Sequence, residues 1–193
     1  MLRSAIIVLL FAFSTTINAQ DLSYNYVDAA YSQTELDDFD VDGDSIGISG
    51  AFEINENFFL FAGYGTGDLD DGFGTSVDID QLSAGVGYHI PLSGQVDLVT
   101  GLSYEYVDLS VPGFGSVDDN GFGLSLGLRF AATEQVELNV GIKYIDLSDS
   151  GDDTGFGIGG LYNFTENVSV GLSGNWTDDT STYGIGGRFY FGQ

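Results

Sequence analysis

Three features of the sequence predict an all-β fold: a two-residue alternation of apolar with small polar side chains, connections that alternate between tight turns and longer acidic stretches, and an abundance of glycine and aromatic residues. The predicted architecture is a closed antiparallel up-and-down β-barrel of ten strands, with eight strands as the alternative. The chain has 193 residues, with 4 Lys+Arg against 29 Asp+Glu and a formal charge of −25. Nucleic acid is excluded as a partner, because a polyanion is bound by a cationic patch. Cysteine is absent, which removes disulfides, thiolate metal sites and cysteine nucleophiles together. Such charge in an aromatic-poor chain would suggest disorder, but 43% of these residues are hydrophobic and 14% aromatic.

The first element is an address. Arg3 supplies a positive start, Ala5 to Phe13 an apolar run, and Ser14 to Ala19 a short polar stretch ending in a small residue. This is the shape of a secretory signal peptide cleaved after Ala19, so residues 1–19 are read as the signal peptide and 20–193 as the barrel domain. An uncleaved anchor is the alternative, but the run is short for a bilayer-spanning helix.

Strands are expected at about 22–35, 44–54, 58–69, 77–90, 96–109, 120–131, 136–147, 154–164, 168–178 and 182–192. The sixth shows the alternation most clearly. Phe122, Leu124, Leu126, Leu128 and Phe130 form one row, and Gly123, Ser125, Gly127 and Arg129 the other. The fourth sets Leu82, Ala84, Val86, Tyr88 and Ile90 against Ser83, Gly85, Gly87 and His89. The seventh, ninth and tenth repeat the pattern, with Leu138, Leu172 and Ile185 on their apolar rows. Tight turns are expected at Asn55–Asn57, Pro91–Gln95, Ala131–Gln135 and Thr165–Asn167. The acidic connections are expected at 36–43, 70–76, 110–119, 148–153 and 178–181. The two kinds alternate, so consecutive strands run up and down.

Which row faces the interior decides the environment. A soluble sandwich buries its large apolar row and shows water a charged one. Here the second row is glycine and serine, which would pack nothing on a wetted surface. Inverted, the rows make sense: small residues fill a narrow lumen, and Leu, Val and Ile face lipid. Hydrocarbon cannot satisfy an open sheet edge, so the sheet must close, and these strand lengths suit a tilted crossing. Aromatics on the apolar row add an independent argument because they band at strand ends. Phe52, Phe58, Phe130 and Phe189 lie near the tight turns, and Tyr64, Tyr104, Tyr144 and Trp176 near the acidic stretches. A soluble secreted β protein is the competing reading. Tight turns ordinarily lie at the periplasmic end of such barrels and the longer loops outside.

The last strand, Tyr183-Gly184-Ile185-Gly186-Gly187-Arg188-Phe189-Tyr190-Phe191, carries a glycine followed by aromatics three and five positions later. With the leader and the turn–loop alternation, it resembles the small outer-membrane proteins of the OmpA-like β-barrel superfamily. The resemblance implies a Gram-negative outer-membrane location and makes Gly186, Phe189 and Phe191 the signal read by the barrel-assembly machinery. The tail departs from that pattern by adding Gly192 and Gln193. Asn55-Glu56-Asn57-Phe58-Phe59-Leu60-Phe61-Ala62-Gly63-Tyr64 and Gly85-Val86-Gly87-Tyr88 are also similar to a narrower group of Asp- and Gly-rich outer-membrane proteins first discussed in connection with bacterial cell–cell signalling. That likeness implies no activity.

Candidate sites are few. Asp38, Asp40 and Asp42 before Gly43 resemble the opening half of a calcium loop, but its closing glutamate is replaced by Ser49. Weak Ca²⁺ association is one reading, and a solvated acidic loop is the other. Five acidic stretches at one rim would attract divalent cations, which could bridge to lipopolysaccharide phosphates. Arg129, Lys143 and Arg188 fall on the small-residue row, as do Glu53, Asp97, Glu105 and Glu137. They are expected to form a lumen ion-pair network, because confined charges must be paired. Hairpin register is expected to set Arg129 opposite Glu137, and His89 opposite Asp97. A His–Asp pair is part of an acyl-transfer site, but the pattern singles out no serine to go with it, so no enzyme and no cofactor are expected. The expected role is structural or surface-interaction, in adhesion or envelope integrity, with outer-membrane lipid and lipopolysaccharide as partners. A narrow pore for water or small cations is the alternative.

Overall fold

The computed structural model describes residues 22–36, 41–70, 76–113 and 115–192. Ten strands form one closed antiparallel barrel: β1 (Tyr26–Leu36), β2 (Val41–Glu53), β3 (Phe58–Asp70), β4 (Ser76–Ser93), β5 (Val96–Val111), β6 (Gly115–Ala131), β7 (Val136–Leu147), β8 (Gly151–Asn163), β9 (Val168–Trp176) and β10 (Thr180–Tyr190). Each strand pairs with its sequence neighbours, and β10 closes on β1 from Tyr26 opposite Tyr190 to Leu36 opposite Thr180. Eight strands are thereby excluded. The signal-peptide residues lie outside the described ones.

The orientation follows the alternation. Leu126 and Leu172 point outward, 48% and 67% exposed, while Arg129 and Glu137 point inward and are buried. Exposed Leu, Ile, Val and Phe encircle the barrel, the inverse of a water-soluble core.

Two expectations about the chain path need correction. The strands climb further into the acidic segments than the sequence predicts. β5 runs to Val111 and β6 resumes at Gly115, where a connection over 110–119 is expected. The ladder continues because the reversal is compact, with Gly113 and Gly115 at φ of 85° and 106°, a region open to glycine at little cost. Two hairpin registers also slide by two residues. His89 is opposite Val99 and Asp97 opposite Pro91, with a bulge between Pro91 and Ser93. Arg129 is opposite Asn139, and Glu137 opposite Ala131. A slide of two preserves facing, whereas a slide of one would reverse it. The expected partners therefore stay on the lumen side and meet along diagonals.

Candidate functional site

At the tight-turn end the lumen is packed solid. Residues 22–25 precede β1 and fold into the barrel, placing Tyr24, 1% exposed, at the centre. Its ring stacks on His89 at 4.2 Å and on Phe59 at 4.6 Å between centroids. The Arg129 guanidinium lies 4.4 Å from the ring centroid, and the Tyr24 hydroxyl donates to Asp97 Oδ2 at 2.9 Å. Phe59 can lie across the bore because Gly87, on the neighbouring strand, has no side chain. A Cβ at Gly87 would fall 2.1 Å from Phe59 Cζ. Gly87→Ala is therefore expected to destabilise the barrel by about 1–3 kcal/mol in urea unfolding, the usual cost of overpacking. Gly65→Ala, whose Cβ would meet only the Ile46 carbonyl at 3.7 Å, is expected to be neutral or slightly stabilising.

Charged groups complete this tier. Arg129 donates from Nε to Glu137 Oε1 at 2.8 Å and from Nη2 to Oε2 at 3.0 Å. Tyr190 donates its hydroxyl to Glu137 Oε2 at 3.2 Å. Arg188 makes a two-pronged contact with Asp28, at 2.7 and 2.8 Å, and its Nη1 lies 3.9 Å from Glu137 Oε1. Such forked pairs are the strongest kind of charge-assisted contact. Glu53 engages the folded-in segment, accepting from Tyr24 N at 3.0 Å and Asn25 Nδ2 at 2.9 Å. His89 Nδ1 approaches Asp97 Oδ2 to 3.1 Å, but its orientation makes no hydrogen bond. Tyr24 stacks over the imidazole, and His89 and Asp97 are both buried.

Above the tier the lumen widens into compartments of about 340, 460 and 620 Å³, and Lys143 borders all three. Lys143 Nζ lies 2.8 Å from Glu105 Oε1, an oxygen that also accepts from Ser83 at 3.0 Å and from Ser103.

The acidic rim has a different geometry. The strand extensions aim aspartates outward and set them directly opposite one another. Asp68 sits between Asp44 and Asp78, and Asp108 between Asp80 and Asp118. Asp42 faces Asp70, and Asp146 faces Asp152. Tyr31 and Tyr64, at the edge of the apolar belt, donate hydroxyls to Asp44 and Asp80, each at 2.5 Å. Beyond Arg3 the sequence holds only three Lys or Arg residues, and all three point into the lumen. Asp38 and Asp40 lie outside the described residues. Asp42 and Gly43 belong to the β1–β2 ladder, opposite Glu35 and Thr34, so the stretch is extended strand from Val41 onward. Among the described residues no cluster of three or more carboxylate or imidazole groups could hold a metal ion.

Gly186 faces the lumen on β10, Phe189 faces outward beside Val27 and Val168, and Phe191 lies just past the strand end.

A family model described as "Outer membrane protein beta-barrel domain" matches residues 5–154. The chain belongs to that family. Its location is therefore the outer membrane of a Gram-negative cell. No curated protein matches the chain. Among solved structures, the NanC porin shares 10% identity, with 86% of this chain and 100% of that one covered, at a TM-score of 0.51. Neisserial surface protein A shares 18% identity over 88% and 98% of the two chains, at 0.48. The N-terminal barrel of Pseudomonas aeruginosa OprF shares 14% over 86% and 98%, at 0.43. At these identities the likeness is one of fold.

Among the participants that the sequence reading missed in this outer membrane barrel are Asp28 and Tyr24. Asp28, which holds Arg188, stands on the lumen row of β1 beside Ala30 and Ser32, and its parity alone could have revealed it. Tyr24 falls within the strand expected at 22–35, and the structure corrects that expectation: residues 22–25 precede β1 and turn into the barrel.

Proposed function

We propose that this outer-membrane barrel is a sealed structural element whose acidic rim acts on the surface, tying the protein to lipopolysaccharide through divalent cations. One observation carries the reading: opposed carboxylates face outward on adjacent strands, while the three cations beyond Arg3 are turned inward. Like charges directly opposite across a sheet are destabilising, and a divalent ion shared with a lipid phosphate would relieve several pairs at once. Two aspartates and a phosphate supply oxygen ligands suited to Ca²⁺ or Mg²⁺, and among the described residues the rim holds no complete site of its own.

The test is thermal unfolding in lipopolysaccharide-containing vesicles, with millimolar Ca²⁺ or with chelator. Relief of a few opposed pairs corresponds to about 2 kcal/mol, or a Tm rise of about 4–8 °C for a chain of this size. Asp68→Asn together with Asp108→Asn, at the centres of the two triplets, is expected to raise Tm in chelator and remove most of the calcium response. A wild-type Tm indifferent to Ca²⁺ would overturn the reading.

The pore for water or small cations is the second reading. The roomy small-residue lumen above the packed tier favours it, and the tier opposes it. The two G-x-S-x-G spacings, Gly43–Gly47 and Gly123–Gly127, lie inside β2 and β6 rather than at a strand-to-helix elbow, and with the burial of His89 under Tyr24 they support a role outside catalysis. Residues 1–19 are proposed to be the export signal. Gly186, Phe189 and Phe191 are proposed as the assembly signal, with the barrel-assembly machinery as the partner that reads it.

A further inference from the structure

We propose that residues 22–25 form a displaceable plug, and that releasing it turns the blind lumen into a cation-conducting passage. The inference rests on the reading of the resting barrel as sealed. The segment lies outside the barrel's ladder, since the β1 pairings with both β2 and β10 begin at Tyr26. It is held by six discrete hydrogen bonds. Tyr24 N and Asn25 Nδ2 donate to Glu53, at 3.0 and 2.9 Å, and Glu53 N donates to Asn25 Oδ1 at 2.9 Å. Arg129 Nη1 donates to the Ser23 carbonyl at 3.0 Å, and the Tyr24 hydroxyl to Asp97 at 2.9 Å. Phe191 N donates to the Asn25 carbonyl at 3.0 Å. Five of the six involve a side chain, and the sixth lies one step past the last β1–β10 pair, Tyr26 opposite Tyr190, so the segment can leave while the ten-stranded wall stays intact.

Its departure would empty the middle of the tier. Tyr24 separates two halves that are each anchored to the wall. Phe59, His89 and Asp97 stand on β3 to β5, and the Arg129–Glu137 pair stands on β6 and β7. The compartment directly above is already bordered by Tyr24, Phe59 and Arg129, with a volume of about 340 Å³. Inward-facing carboxylates outnumber the three inward cations, so the passage would favour cations.

The test is conductance of the full mature chain in planar bilayers, with native folding checked by heat-modifiable electrophoretic migration. Wild type is expected to be silent. Tyr24→Ala is expected to show stable unitary steps whose reversal potential in a salt gradient is cation-selective. Glu53→Gln keeps the side-chain volume while weakening two strap contacts, and is expected to show brief openings in a fully folded barrel. If Tyr24→Ala does not fold, the Glu53→Gln recording decides alone. Silence from folded variants beneath a silent wild type overturns the plug and leaves the sealed reading standing. Steps of equal size and frequency in wild type overturn both.

Discussion

Glu137→Ala is expected to lower the barrel's unfolding free energy by about 3–5 kcal/mol, the usual penalty for leaving a buried charge without its partner. Glu137 is 4% exposed. It takes both prongs of Arg129, the Tyr190 hydroxyl and the nearby Arg188. Truncation strands the buried Arg129 guanidinium, while Arg188 keeps its pair with Asp28. Urea unfolding from lipid vesicles measures the effect. The Arg129→Met, Glu137→Leu double variant is expected to recover much of the loss, since an apolar pair of similar volume often matches a buried ion pair. Recovery will be incomplete because Arg129 also holds the Ser23 carbonyl and faces the Tyr24 ring. Lys143→Met offers the contrast. The Lys143 side chain is 38% exposed in the wide part of the lumen, and its buried partner Glu105 keeps the Ser83 and Ser103 hydroxyls when the lysine is removed, so the expected cost is smaller, about 1–2 kcal/mol. A loss below about 1 kcal/mol for Glu137→Ala would mean that water reaches the tier.

The contrast between these positions also explains what the sequence could reveal. Strand count, facing and closure are written in parity, a property that survives errors of two residues. Arg129, Glu137, His89 and Asp97 could therefore be assigned to the lumen although both of their hairpin registers slide. Exact pairing depends on turn length and on the bulge at Pro91–Ser93, and neither has a period to read. The extent of the strands was hidden for a related reason. Aspartate and glycine are poor strand formers in isolation, yet the ladder of a closed barrel carries them past the apolar belt, as Asp118 and Asp119 do on β6. The role of Tyr24 was hidden because the segment expected to begin the first strand instead leaves the ladder and folds into the lumen, a tertiary event. The opposed aspartates of the rim show the same limit. Their abundance was plain in the composition, but their alignment across strands appeared only with the register.

Leu126→Arg is expected to cost about 2–4 kcal/mol, the penalty for a cation on the lipid face near the bilayer midplane. Leu126 lies on β6 between Phe122 toward the rim and Phe130 toward the turns. At about 3.3 Å per residue it stands some 13 Å along the strand from either aromatic, far from any headgroup. Its cross-strand neighbours, Thr100 and Ile142, offer no counter-charge. Were this surface bathed in water, the same substitution at a half-exposed position would stay within about 0.5 kcal/mol. Asp44→Arg supplies the depth control. Asp44 shares the outward face but stands at the rim opposite Asp68, so a cation there relieves a like-charge pair and is expected to leave stability unchanged or slightly raised. Urea unfolding of both variants from lipid vesicles tests the orientation through the difference between them, which cancels any general effect of added arginine. A large loss at residue 126 with none at residue 44 is the signature of hydrocarbon around the middle of the barrel and water around its acidic end. Equal small effects at both would place water along the whole wall, and the apolar row would then have to face another protein surface.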